Sequence, residues 1–126
     1  ALLLLSPWAD QVPPDPLPPP PRGEAMLSAA WADACSAFYR GAIPATDARV
    51  SPLRADLRGL PPTLIQAGTD ELLHGEALRL HDALPAAAVP GRCEITARRW
   101  HVFQMHGGAL RSADEARLAV GFFSVT

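Results

Sequence analysis

No lysine occurs in this chain of 126 residues: all eleven of its basic residues are arginine, set against thirteen acidic ones. The net charge of −2 provides no excess of basic charge for nucleic acid or an anionic membrane, so neither is expected as a partner. Long apolar runs are missing too. The opening Leu2-Leu3-Leu4-Leu5 falls far short of the about 20 apolar residues that span a bilayer, and it lacks the basic leader of a signal peptide. Cysteine is scarce. Cys35 and Cys93 stand on a predicted helix and a predicted strand without forming a close pair, so they read as reduced thiols and the chain as cytoplasmic. Phosphate loops are absent, since Gly107-Gly108 stands alone and matches neither dinucleotide nor P-loop spacing. A zinc site fails by count. His74-Gly75-Glu76 matches the H-x-E of zinc deaminases, but Pro90-Gly91-Arg92-Cys93 supplies only one of the cysteines that P-C-x-x-C requires. No metal and no cofactor are expected.

What is present is globular: 48% of residues are hydrophobic and 19% charged, in a length that suits one domain. Thr63-Leu64-Ile65-Gln66, bounded by Pro61-Pro62 in front and Gly68 behind, is punctuated as a buried strand of a parallel sheet. Leu2 to Leu5, ended by Ser6-Pro7, looks like a second strand leaving the sheet. Arg92 to Arg99 makes a third. The periodicity predicts helices over Glu24 to Arg40, from Leu27, Trp31, Cys35 and Phe38, and over Gly75 to Leu84. A last helix starts at Ser112, where Ser112-Ala113-Asp114-Glu115 fits a capping box. The proline-dense tract at 11–22 predicts a stiff extended loop.

Strand ends place the chemistry. Asp70 falls in the turn after the Thr63 strand and His101 just past the Arg92 strand, at the edge where open α/β sheets gather catalytic groups. On neighbouring parallel strands the two would meet, the carboxylate setting the imidazole's tautomer and stabilising its protonated form. Position alone equally allows Asp70 to cap the helix that follows. Of the other histidines, His81 lies on a predicted helix and His74 is only four residues past Asp70, which leaves His106 as the rival base.

Ser6-Pro7-Trp8-Ala9-Asp10, Ser51-Pro52-Leu53, Leu60-Pro61-Pro62, Gly68-Thr69-Asp70-Glu71 and Trp100-His101-Val102-Phe103, in this order, resemble the C-terminal half of the hormone-sensitive-lipase-like esterases. The resemblance covers nearly the whole chain. It implies an α/β fold, the C-terminal part of an α/β-hydrolase with about three parallel strands, flanking helices and part of a cap. Residues 1–126 would form a partial domain, with 11–44 as a cap-like insertion and 60–126 as the strands and helices that carry the triad acid and base. It also implies a carboxylic ester hydrolase of the serine type acting on small-molecule esters, with Asp70 as acid and His101 as base. The His-x-Phe pattern falls on His101 and Phe103, which favours His101 over His106. Trp31, Phe38 or Tyr39 would lie near the acyl pocket by resemblance, whereas composition alone makes them core. Many relatives carry acidic residues four to six positions after the triad acid, where this chain has His74-Gly75-Glu76.

The family's nucleophile sits in a G-x-S-x-G turn, and its oxyanion hole in a His-Gly-Gly-type loop. Neither is present. Ser6, Ser28, Ser36, Ser51, Ser112 and Ser124 all lack the flanking glycines. The expectation is therefore a hydrolase fragment, inactive without an upstream half and beginning inside a domain at Ala1. The alternative is a non-catalytic truncated piece that acts by interaction through its open sheet edge.

Overall fold

The computed structural model describes residues 1–14, 19 and 21–124, so the proline tract lies partly outside the described residues. Three strands, β1 (Leu2–Leu5), β2 (Thr63–Gly68) and β3 (Gly91–Thr96), form one parallel sheet in the order β1-β2-β3. Leu4 pairs with Ile65, and Ile65 with Cys93. The prolines before β2 and β3 start the ladder instead of breaking it. Their carbonyls accept from strand amides, Leu2 N–H to Pro62 at 2.8 Å and Thr63 N–H to Pro90 at 2.9 Å. All six residues of β2 are buried, as a central strand covered on both faces must be.

Parallel neighbours require a crossover, and α2 (His74–Ala83) supplies it between β2 and β3. Its Ala77 and Leu80, with Leu84 and Val89 beyond, close on Ile65 and Ala67 to make the main core. Alternation along the strand turns Gln66 to the other face. Buried there, its Nε2 donates to Glu94 Oε2 and to the Ala116 carbonyl, both at 2.8 Å. That face is covered by α3 (Arg111–Ser124), whose Ala113 and Ala116 pack on Phe103. Two alanines let the helix approach closely, which turns Leu118 and Phe122 outward. Among the described residues no helix is long and apolar enough to cross a membrane.

Local chemistry shifted three boundaries. α1 spans Ala29–Arg40 and not Glu24 to Arg40, because the Ser28 hydroxyl caps it by accepting the Trp31 N–H. Residues 24–28 form a turned loop around the Glu24 carboxylate, which accepts from the Met26 and Leu27 amides. The Ser112 capping box does not form, since α3 starts at Arg111 and the Ser112 hydroxyl accepts from Arg99 Nε at 2.7 Å. Beyond Thr96 the chain leaves β3 for a turn with Arg98 at φ 56°, a conformation that cannot continue a strand. The two cysteines are unpaired.

The ends of β2 and β3 are stitched together. Thr69 N–H donates to the Thr96 carbonyl, Asp70 N–H to the Arg99 carbonyl at 2.9 Å, and Arg98 N–H to Thr69 Oγ1 at 2.8 Å. Gly68 permits the contact, because a Cβ there would collide with the Arg99 carbonyl backbone. Gly68→Ala is therefore expected to cost about 1–3 kcal/mol or more, read as a lower urea midpoint with an unchanged slope.

Candidate active site

Three chain segments leave the carboxyl edge of the sheet side by side. They bring Ser6 from β1, Glu71 from β2 and His101 from β3 together. Ser6 Oγ donates to Glu71 Oε2 at 2.7 Å and accepts the Val102 N–H at 3.0 Å. The same Glu71 oxygen stands 3.7 Å from His101 Nδ1. That nitrogen and Glu71 Oε1 are buried and, among the described residues, have no hydrogen-bond partner. An unpaired ring nitrogen facing a carboxylate is the arrangement in which a small closure forms a charge-assisted bond.

The backbone is bent to achieve this. Ser6 has φ 47° and Val102 φ 48°, left-handed conformations that side chains other than glycine rarely adopt and that a β-branched residue adopts least. Phe103, fully buried among Ala113, Ala116, Trp100 and Leu110, pins the segment that carries His101. The His-x-Phe spacing thus has a mechanical basis. The phenyl ring anchors the loop from below while the imidazole stays at the rim.

Burial governs the charges. Desolvation pushes the Glu71 carboxyl from 4.5 up to about 7; the nearby Glu24 charge adds to the rise, and the Ser6 hydroxyl and the Gly68 backbone oppose it. His101 is shifted the other way, below the usual imidazole value, by burial, with Glu24 partly restoring it. Both groups are thus biased toward their neutral forms.

Asp70, the acid expected from sequence, lies one residue before Glu71, and its carboxylate makes no hydrogen bond or ion pair to His101. Asp70 Oδ1 accepts from the Thr69 hydroxyl at 2.8 Å. It does not cap α2 either, where Leu73 stands at the cap without a side-chain bond. His101 is where the sequence put it, at the rim beyond β3. His106 stacks edge-on against Trp100 with centroids 5.5 Å apart, and His74 Nδ1 bonds the Gly68 carbonyl. Glu76, weighed with His74 as a metal motif, pairs with Arg79 and accepts the Ala9 N–H. Among the described residues no three His, Cys, Asp or Glu side chains gather to hold a metal. Sequence reading missed Glu71 as the carboxylate facing the histidine and Ser6 as the residue that joins Glu71 to the Val102 amide. The available signal was their place inside Gly68-Thr69-Asp70-Glu71 and Ser6-Pro7-Trp8.

His101 opens into a cleft of about 280 Å³ walled by Ser6, Trp8, Leu27, Trp31 and Tyr39. Trp31 and Tyr39 are exposed rather than core, since α1 buries only Ser36 against the rest of the chain. Phe38, 90% exposed, points away from the cleft lining. A larger cavity of about 610 Å³ is lined by Glu71, Leu72 and Leu73 but not by His101, so of the two only the smaller cleft reaches the imidazole.

A family profile described as alpha/beta hydrolase fold matches residues 1–105. The chain is 35% identical over 80 residues to an esterase of Acinetobacter venetianus, covering 64% of this chain and 26% of that protein. It is 37% identical over 73 residues to an acetyl-hydrolase of Streptomyces hygroscopicus, covering 58% of this chain and 24% of that protein. Among solved structures, EstE7, a homologue of hormone-sensitive lipase from a metagenome library, superposes with a TM-score of 0.81 at 29% identity over 91% of this chain and 40% of its own. EstE5, in a crystal soaked with ethyl alcohol, gives 0.86 at 28% identity, over 96% and 41%. The chain thus spans about a quarter of the curated relatives' length.

A raised carboxyl pKa makes stability depend on pH with a defined sign. The contribution of neutral Glu71 is fully present below its ordinary 4.5 and is lost as pH rises through about 7. His101, shifted downward, acts oppositely, since its share is lost as pH falls. Comparing urea midpoints at about pH 5 and about pH 8, Glu71→Gln should remove most of the loss seen in the unmodified chain, while the His101 share remains in both proteins.

Proposed function

Because the chain belongs to the alpha/beta hydrolase fold family, as the hormone-sensitive-lipase-like motifs of its sequence implied, we propose that it supplies the acid and base of a serine-type carboxylic ester hydrolase. The observation that carries this reading is the 3.7 Å approach of a buried glutamate to His101 Nδ1 at the rim where three strand ends converge. A serine from outside these residues attacks the ester carbonyl. His101 takes its proton and returns it to the leaving alkoxide, and water then releases the acyl group by the same route in reverse. Ser6 does not serve as nucleophile, because its hydroxyl proton is committed to Glu71 and its oxygen to the Val102 amide. The chain alone is accordingly inactive. The names of the two curated relatives, an esterase and an acetyl-hydrolase, support small esters with short acyl groups as substrates. The unpaired thiols suit a reducing, cytoplasmic setting.

Of the two adjacent carboxylates in the turn, Asp70 follows from motif position and Glu71 from geometry. Side-chain direction supports Glu71. It is buried, faces the ring, and is steadied by Ser6, whereas Asp70 turns to its neighbour Thr69. Once ionised, Glu71 can hold Nδ1–H and leave Nε2 for the reacting groups.

A second reading rests on β1. It stands at the sheet edge with Leu3 37% and Leu5 36% exposed, and it favours a piece that pairs with another polypeptide strand. Size-exclusion chromatography addresses this directly: a compact soluble monomer would count against it.

The test is an aryl-ester assay on the chain extended by its upstream half. His101→Ala is expected to lose on the order of a millionfold in kcat, and Glu71→Gln on the order of ten-thousandfold, with Asp70→Asn far milder. Activity of the unmodified protein should rise as pH passes about 7, where Glu71 ionises. Full activity in Glu71→Gln with collapse in Asp70→Asn would return the acid role to Asp70. Full activity in all three would end the acid–base assignment.

A further inference from the structure

The loop before α1 meets the turn after β2 through a single side chain. Glu24 Oε1 accepts the Met26 N–H at 2.8 Å and the Leu27 N–H at 3.2 Å, and Oε2 accepts the Leu72 N–H at 3.1 Å. One carboxylate thus collects three backbone donors from two distant segments. Hydrogen bonds to an ionised acceptor are roughly twice as strong as neutral ones. Leu72 directly follows Glu71, and Leu27 lines the cleft into which His101 opens. The adjoining residue shows the same closeness, for Gly23 lies so near the Asp70 side chain that a Cβ would collide with it. α1 has little else to hold it, with only Ser36 buried among its twelve residues.

We propose that Glu24 is a positioning residue that clasps the loop leading into α1 to the turn carrying Glu71, so that the wall of the cleft and the acid beside His101 are held in register. The proposal rests on the reading of Glu71 and His101 as an acid–base pair, but its tether can be measured without it. A clasp placed there sets how far Trp31 and Tyr39 stand from the imidazole. Glu24 also acts through its charge. The titratable groups around the ring are Glu71 from the β2 turn, Glu24 from the loop, and Cys35 and Tyr39 across the cleft on α1. Of these, Glu24 is the one whose charge raises the His101 pKa.

The experiment is amide hydrogen exchange and imidazole titration by NMR on the full chain and on Glu24→Ala, Glu24→Gln and Asp33→Asn, the last removing an exposed acid of α1 that takes no part in the clasp. In Glu24→Ala the Leu72, Met26 and Leu27 amides should exchange about tenfold faster or more, and the His101 midpoint should fall. Glu24→Gln keeps one acceptor oxygen, so protection should persist at Met26 and Leu27 or at Leu72, while the His101 midpoint falls as in Glu24→Ala. Asp33→Asn should change neither readout. Unchanged exchange at all three amides in Glu24→Ala would overturn the clasp. If that variant does not fold, an unshifted His101 midpoint and unaltered amide protection in Glu24→Gln would overturn it instead. Faster exchange together with an active Glu71→Gln enzyme would leave the clasp standing and refute the acid assignment.

Discussion

The hydroxyl of Ser6 is the interaction on which the site depends. It donates to the glutamate that follows β2 and accepts the amide beside the histidine that follows β3, while its own backbone belongs to the exit of β1. One small side chain therefore references all three strand ends to a common point. The chain accepts a left-handed backbone at Ser6 and at Val102 to make the connection. Such conformations persist only where surrounding contacts over-determine them. Here those contacts are the stitched turns at Thr69, Asp70 and Arg98 and the buried ring of Phe103.

Holding an acid at that point conflicts with stability. Glu71 is shielded from water and, among the described residues, has Ser6 as its one side-chain donor, so its charged form is disfavoured; burial likewise lowers the His101 pKa. Burial thus biases the glutamate and the imidazole alike toward their neutral forms. A charged carboxylate and a protonated imidazole would attract each other more strongly in the same low-dielectric surroundings that penalise either charge alone. The polar centre of β2 is built on the opposite principle. Gln66 is buried and neutral, its amide nitrogen satisfied by Glu94 and Ala116, and it joins the sheet to α3 without a charge to desolvate.

The parts of the molecule differ in how firmly they are held. β2 and the α2 side of the sheet share a continuous apolar core, whereas α1 lies over the cleft with one buried residue. The wall of the cleft is therefore attached through loops and hydrogen bonds more than through packing, and its geometry is set by polar contacts such as those of Glu24. The exposed rings of α1, Met105, and the outward Leu118 and Phe122 of α3 are the large apolar side chains the described fold leaves least covered.

The parallel three-strand sheet, the helix between β2 and β3, and the rim position of His101 were legible in the sequence. Proline and glycine punctuation and apolar runs act locally and carry their meaning in order along the chain. Leu2–Leu5 and Thr63–Gly68 needed no partner to be recognised as strands. Which of the adjacent Asp70 and Glu71 side chains turns toward His101 was not legible, because neighbouring residues in a turn have no periodicity; in the fold Glu71 faces the ring and Asp70 turns to Thr69. The outward face of Leu118 and Phe122 and the loss of the Ser112 cap to Arg99 emerged only in three dimensions, whereas the start of α1 at Ala29 is set locally by the Ser28 cap. Local pattern determined which elements exist and which residue types reach the rim. Tertiary structure decided which side chains meet there, because meeting depends on backbone direction at strand ends, and contacts remote in the chain set that direction.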